Sequence, residues 1–147
     1  MRKLLLTCSC LVFCLCQVFA DDQEKFSPEK FQAQMEQFIT QEANLTSEEA
    51  SKFFPLLREM YEKQRLVYDK IKKECRQRPS DEAGCKKVVL QRDLYELELK
   101  TIQQSYHKKF FNVLKPSKVY DVLKAEDRFH RKAFKNWSSG KKHSPKH

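Results

Sequence analysis

Apolar residues recur every three or four positions along most of the chain, with charged residues between them, and this spacing predicts amphipathic α-helices. The first helix is expected to begin at Ser27-Pro28-Glu29, which combines a capping serine, a proline at the first helical position and an acid in the first turn. Its apolar face contains Phe31, Met35, Phe38 and Ile39. We expect this helix to be short and to end near Ala43.

The second helix has the clearest start signal in the chain. Thr46 can accept a hydrogen bond from the backbone N–H of Glu49, whose carboxylate can accept one from the amide of Thr46, and together these make a capping box. Leu45 precedes the cap and can pack on the helix as a hydrophobic staple. The apolar positions continue to about Cys75 and keep their register on both sides of Pro55. We therefore predict a long helix that is kinked at this proline rather than ended by it.

Two further periodic segments follow the second helix. Ser80-Asp81-Glu82 marks the start of a third helix of about thirty residues, and the short connection predicts that it runs antiparallel to the second. The apolar stripe of the third helix is widened by Leu94 and Phe111. Pro116 opens a fourth helix, whose periodicity reaches Trp137 and whose outer face is basic.

The four segments together predict an all-α protein with a single helical domain at residues 21–137. Large apolar residues are few for a compact globule, so we expect four main helices in an elongated, kinked helical-hairpin layer whose apolar surface is only partly covered. Residues 138–147 contain no apolar side chain and several basic ones, which predicts a disordered basic tail.

The beginning of the chain has the pattern of a secretory signal peptide. Arg2 and Lys3 precede a charge-free apolar run that ends in Val18-Phe19-Ala20, which predicts cleavage after Ala20 and a signal peptide at residues 1–20. An uncleaved anchor and a lipoprotein are the alternatives, but the run is shorter than the roughly twenty residues that a spanning helix needs.

Cleavage would leave Cys75 and Cys85 as the last two of the six cysteines. They flank the turn between the second and third helices, so a disulfide across this hairpin is the simplest expectation in an oxidising compartment. Two free thiols are the alternative, and the Cys-x-x-Cys spacing of a redox-active pair is missing.

The residues needed for common kinds of chemistry are missing from the sequence. With only two glycines, no glycine-rich phosphate loop and no nucleophile and base at a typical spacing, the chain is predicted not to be an enzyme and to use no cofactor. His143 and His147 have His-x-x-x-His spacing, but they lie in the predicted disordered tail, where we expect solvated side chains, and no Cys-x-x-Cys pair supplies a preformed metal site. The formal net charge is +9, yet basic and acidic residues alternate, and export makes nucleic acid an unsuitable partner.

The start of the second helix carries a resemblance to a known family. Leu45 and Thr46, followed by Glu49, are similar to the Leu-Thr-x-x-Gln motif of the Spy/CpxP group of small periplasmic proteins, with Glu49 at the glutamine position. Phe53-Phe54-Pro55-Leu56 resembles the aromatic-proline pattern of the heavy-metal-sensor-like members of that group.

A second, degenerate copy of the motif lies before the fourth helix. Of this copy Leu114 is retained, and Lys115 and Lys118 occupy the threonine and glutamine positions. The resemblance extends over roughly residues 27–137 and implies an all-helical, ATP-independent periplasmic chaperone that forms a cradle-shaped antiparallel homodimer.

We therefore expect a protein that is secreted across the inner membrane into the periplasm, where it binds unfolded or misfolded envelope proteins under stress. Aromatic residues edged by cations on the first two helices could hold such chains without strong sequence preference. The candidate client-binding residues are Phe31, Phe38, Phe54, Arg58, Tyr61, Arg65, Tyr68 and Lys72. The alternative for each aromatic residue is a place in the core between helices or at a dimer interface.

Two other functions fit parts of the sequence. One is a periplasmic regulatory sensor for envelope stress, metal or extracytoplasmic sigma-factor signalling, which would dock on a membrane-bound signalling protein. The other is a secreted four-helix signalling ligand, which would explain the glycosylation patterns Asn44-Leu45-Thr46 and Asn136-Trp137-Ser138 but leaves both motif copies unexplained.

Overall fold

The computed structural model describes residues 27–140, with side chains to Asn136, and within this range the protein consists of four α-helices without strands. The helices are α1 at Pro28–Glu42, α2 at Ser47–Glu74, α3 at Glu82–Phe110 and α4 at Pro116–Gly140. The prediction of an all-α fold is confirmed. α4 continues three residues beyond the predicted end at Trp137, and the predicted signal peptide and residues 141–147 lie outside the described residues.

The helix starts follow the capping signals of the sequence. The hydroxyl of Thr46 accepts a hydrogen bond from the backbone N–H of Glu49 at 3.2 Å, and the Glu49 carboxylate accepts one from the amide of Thr46 at 2.9 Å. The side chain of Ser27 caps α1, and Asp81 accepts a hydrogen bond from the amide of Gly84 at 2.8 Å to cap α3. Each cap satisfies a backbone N–H that lacks a partner within its helix.

Pro55 lies inside α2, and the helix continues through it to Glu74. The prediction that this proline does not end the helix is therefore confirmed, whereas the kink itself stays a prediction. The proline ring is exposed, while Phe53, Phe54 and Leu57 on either side of it are buried. The apolar face of α2 thus keeps its register across the missing hydrogen-bond donor.

α2 and α3 form an antiparallel helical hairpin, as predicted. Contacts that join them include Glu59 with Lys109 (3.8 Å), Lys70 with Glu98 (3.2 Å) and Glu74 with Tyr95 (2.5 Å). Residue numbers rise along α2 and fall along α3 in this series, which fixes the antiparallel direction.

α1 and α4 form a second pair of helices. Phe31 and Phe38 of α1 both contact Phe129 of α4, with ring centroids 5.1 and 5.7 Å apart, and Arg128 forms an ion pair with Glu42 at 2.8 Å. Residues from all four helices and their junctions bury apolar side chains in one common core. This core contains Met35, Ile39, Ala43, Leu45, Phe53, Phe54, Leu57, Met60, Tyr106, Phe110, Leu114, Val119, Val122 and Ala125.

The junctions before α2 and α4, which carry the two motif copies, lie close together. Leu45 and Leu114 are both buried in the common core. The ammonium group of Lys118 donates hydrogen bonds to the backbone carbonyls of Ala43 and Asn44, each at 2.7 Å. Lys118 therefore binds the end of α1 at the turn that leads into the first motif.

Beyond the common core, α2 and α3 continue as a two-helix arm, which we define as residues 64–100. Its buried side chains are Val67 of α2 and Tyr95 of α3, and neither belongs to the common core. Two helices that pack only on each other share one seam, so the remaining faces of the arm stay open to solvent.

Cys75 and Cys85 at the end of the arm are free thiols, so the predicted disulfide is wrong. The sulfur of Cys75 lies 3.9 Å from the carbonyl oxygen of Val88, and that of Cys85 lies 3.6 Å from the carbonyl oxygen of Pro79. Val88 lies roughly 4.5 Å farther along the axis of α3 than Cys85. The sulfur of Cys75 is therefore beside Val88 and not beside Cys85. The alternative of two free thiols holds.

Candidate functional site

Three of the aromatic residues proposed for client binding lie among core side chains. Phe54 is 7% exposed, and its ring centroid lies 5.3 Å from that of Phe53. Phe31 and Phe38 are half-buried against Phe129 of α4. These positions match the alternative stated for the aromatic residues, a place in the core between helices.

Tyr61 and Arg58 join α2 to other helices. The hydroxyl of Tyr61 donates a hydrogen bond to the carboxylate of Glu126 in α4 and lies 3.6 Å from the sulfur of Met35 in α1. The guanidinium group of Arg58 donates to both carboxylate oxygens of Glu36, at 2.7 and 2.6 Å, in a bidentate ion pair. A client that bound either side chain would have to replace these internal contacts.

Glu126 is a largely buried carboxylate at this contact between α2 and α4. Burial raises the pKa of Glu126, and the hydrogen bond from Tyr61 opposes that rise. Burial together with the neighbouring carboxylate raises the pKa of Tyr61. By contrast, the pKa of Glu36 is lowered, because hydrogen bonds from Arg58 and Gln32 outweigh the effect of its partial burial. The pKa values of these two carboxyl groups are therefore shifted in opposite directions.

The remaining three candidates, Arg65, Tyr68 and Lys72, are exposed on the arm. Their spacing of three and four residues places them on one side of α2. Tyr68 also lines a shallow cavity of about 600 Å³ between the two helices. The other lining residues are Gln64, Asp93, Glu96, Leu97, Leu99, Lys100 and Gln103.

The arm also exposes apolar side chains that were not among the predicted site residues. In the described part of the chain, most of the large apolar residues that face solvent belong to the arm, and they are Leu66, Tyr68, Val89, Leu90, Leu94 and Leu97. Leu94 is 59% exposed and Phe111, at the other end of α3, is 52% exposed. The prediction that these two residues widen the buried stripe of α3 is wrong.

Leu90, Leu94 and Leu97 form a separate apolar stripe along α3. Their spacing of four and three residues places them on one face of the helix, and that face differs from the one on which Tyr95 packs against α2. The spacing was visible in the sequence. Periodicity alone does not show which of two stripes on one helix will find a packing partner, so the exposed stripe could not be told from a wider core face.

Polar contacts hold the seam of the arm beneath these leucines. The hydroxyl of Tyr95 donates to Glu74, and this hydrogen bond raises the pKa of the tyrosine. The ammonium group of Lys70 lies 5.8 Å from the centre of the Tyr95 ring and forms an ion pair with Glu98 at 3.2 Å. The seam of the arm is thus held by two buried side chains, Val67 and Tyr95, and a few polar contacts, while other apolar side chains of the arm face solvent.

Within residues 27–140, acidic, histidine and cysteine side chains do not gather in groups of three or more that could hold a metal ion. None of the helices in this range is long and apolar enough to cross a membrane. What the arrangement can do chemically is bind another molecule through exposed leucines and nearby charges.

Comparison of the chain with protein-family models, curated proteins and solved structures gives no match. The functional interpretation therefore depends on the arm, the core that supports it and the sequence patterns at the two junctions.

Proposed function

We propose that the protein is an exported, ATP-independent chaperone-like protein that holds unfolded or misfolded envelope proteins against its arm. The observation that carries the proposal is the exposure of Leu90, Leu94 and Leu97 on a two-helix arm with very little core of its own. Large exposed apolar patches are typical of surfaces that bind other proteins. An unfolded client would bury these leucines against its own apolar side chains, which are exposed until it folds.

Charged residues on α2 of the arm would assist capture. Arg65 and Lys72 are exposed on α2 of the arm, near Tyr68, and they can attract acidic segments of a client over a distance. This attraction weakens with salt, whereas apolar contact does not. Of the eight candidate residues, we assign these three to the client, and we assign the buried Phe54 and the half-buried Phe31 and Phe38 to the scaffold.

The resemblance to the Spy/CpxP group supports the same function. It implies a periplasmic homodimer that works without nucleotide, and the two buried motif leucines, Leu45 and Leu114, would belong to the scaffold that positions the arm. Client release would follow from folding of the client, because a folded client covers its own apolar surface. No cofactor takes part in this cycle.

The proposal is tested with the mature chain and an unfolded model client whose aggregation is followed by light scattering, without nucleotide. We expect suppression at an equimolar ratio, and somewhat weaker suppression at moderate than at low salt. The arm variant L90Q/L94Q/L97Q should lose most of this activity. Failure of the wild-type chain to suppress aggregation at several-fold excess would refute the proposal.

The matched control removes three exposed apolar side chains outside the arm, in the variant F111Q/Y120Q/F134Q. Helix content and thermal unfolding of both variants should stay close to those of the wild-type chain, because the replaced side chains all face solvent. Equal loss of suppression in the two variants would show that surface hydrophobicity in general, and not the arm, holds the client.

A specific observation also favours the sensor function as a second candidate. Leu90, Leu94 and Leu97 are spaced as one face of a helix, and such a stripe can pack along a single partner helix. Under this alternative the partner is one membrane-bound signalling protein. The sensor function predicts that cross-linking through the arm in cell envelopes gives one dominant product. The chaperone function predicts many cross-linked products.

A further inference from the structure

The outer face of α4 has a composition unlike that of the arm. Seen along the helix, the face turned away from the core carries two acidic residues, Asp121 and Asp127, among five cations. The cations are Lys124, Arg128, Arg131, Lys132 and Lys135, and all five are exposed. α2, in comparison, has nearly equal numbers of acidic and basic residues.

Two cations of this face lie on aromatic rings, and Arg128 forms the ion pair with Glu42 described above. Lys124 lies 5.6 Å from the centre of the Tyr120 ring, and Lys132 lies 4.5 Å from that of Phe38. Arg131 is 69% exposed, and the closest approach in its ion pair with Asp127 is a long 3.9 Å. Lys124 and Arg131 are therefore exposed cations that an external anion can reach.

Two exposed aromatic residues lie along one border of the cationic face. The side chains of Tyr120 and Phe134 are 63% and 68% exposed. At 100° per residue they lie on the same flank of α4, next to the row formed by Lys124 and Arg131. Aromatic rings beside cations are typical of protein surfaces that rest at the headgroup level of a bilayer.

We propose that this face of α4 binds the surface of a membrane that contains anionic phospholipids. Lys124, Arg131 and Lys135 contact lipid phosphates, and the rings of Tyr120 and Phe134 enter the headgroup region. The apolar face of α4 stays in the protein core, so the chain lies on the bilayer without spanning it. The arm is a separate surface and remains accessible to its client, so this inference does not depend on the proposed function.

A lipid surface fits this face better than a nucleic acid does. The cations form a nearly straight row along one helix, and a flat array of headgroups can meet all of them at once. Asp121 and Asp127 within the same face would be repelled by the closely spaced phosphates of a duplex. A bilayer with a minority of anionic lipids can instead place neutral headgroups beside these two carboxylates.

The test is cosedimentation of the full mature chain with phosphatidylcholine vesicles that contain or lack phosphatidylglycerol. We expect binding to the anionic vesicles at low salt, weaker binding at moderate salt and little binding to the neutral vesicles. Each cation near the surface changes binding roughly fivefold, so K124Q/R131Q/K135Q should weaken it by roughly 100-fold. The control K86Q/K87Q/K108Q removes the same charge from exposed positions of α3 and should bind nearly as well as the wild-type chain.

Equal losses in the two triple variants would overturn the proposal, because net charge and not the α4 face would then determine binding. Equal binding to neutral and anionic vesicles would also overturn it, as would binding of duplex DNA without binding of vesicles. The arm variant L90Q/L94Q/L97Q should keep vesicle binding, and K124Q/R131Q/K135Q should keep aggregation suppression. Failure of either proposal can thus be told from failure of the other.

Discussion

The hydrogen bond between Tyr61 and Glu126 joins α2 to α4, and we expect its loss to reduce stability in a pH-dependent manner. The substitution Tyr61→Phe removes the donor hydroxyl and keeps the ring in place. The side chain of Glu126 is only 18% exposed, so water can replace the lost donor only in part. Hydrogen bonds to charged groups contribute about 1.5–3 kcal/mol and those between neutral groups about 1 kcal/mol. We expect a cost of about 2 kcal/mol where Glu126 is ionised and about 1 kcal/mol where it is protonated.

The sign of the pH dependence follows from the raised pKa of Glu126. A carboxyl group with a raised pKa in the folded chain holds its proton more tightly there than in the unfolded chain. The stability linked to this group is therefore fully present below its unfolded pKa and is lost as the pH rises through the folded pKa. The hydrogen bond from Tyr61 lowers the pKa of Glu126, so Tyr61→Phe should raise that pKa further. The cost of the substitution should consequently grow from acidic to neutral pH.

The assay is urea unfolding followed by circular dichroism at a series of pH values. It compares the wild-type chain with Y61F, E126Q and the double variant. In the E126Q background the carboxylate is replaced by an uncharged amide, so the cost of Y61F should fall to about 1 kcal/mol and lose its pH dependence. His130 lies 3.9 Å from Glu126 and is present in all four proteins. A cost that is the same at every pH, or unchanged in the E126Q background, would refute the reasoning.

Three further predictions concern stability. Thr46→Ala should lower the free energy of unfolding by about 1 kcal/mol, because the capping box loses its hydroxyl acceptor; Thr46→Ser, which keeps it, is the control. In urea unfolding, Leu57→Ala in the core should lower the free energy of unfolding by about 2–5 kcal/mol, whereas Leu94→Ala on the arm should change it by less than about 0.5 kcal/mol. Comparable losses in the two variants would show that Leu94 is buried. Because Cys75 and Cys85 are free thiols, adding a reductant should not lower the midpoint of thermal unfolding measured without reductant. A lower midpoint with reductant in the wild-type chain, but not in C75S/C85S, would indicate a disulfide.

Helix positions could be predicted from the sequence because their determinants are local. The capping box of Thr46 and Glu49, the proline at the start of α4 and the Ser80-Asp81-Glu82 segment before α3 each involve residues within one turn, and all three mark a helix start as expected. Pro55 required one further observation, the unbroken register of apolar residues around it. Such signals do not depend on the tertiary arrangement.

The candidate site was harder to predict because exposure depends on which helices meet. α3 carries two apolar stripes, and nothing local distinguishes the one that packs on α2 through Tyr95 from the one that contains Leu94. The role of Phe31 likewise depends on α4, whose position the sequence pattern does not provide. The two thiols were expected to meet because they flank one turn, but the offset of Cys75 toward Val88 is set by how α2 and α3 pack.

The contact of Lys118 with the end of α1 has a consequence for the order of folding. α1 has no basic residue in its own last turn, and its C-terminal carbonyls obtain a cation from a side chain more than seventy positions away in sequence. The α2–α3 hairpin is formed by contacts that are closer in sequence and can form early. α1 reaches its full stability only when α4 arrives, so a nascent chain that ends before residue 118 would have a formed hairpin and a frayed first helix.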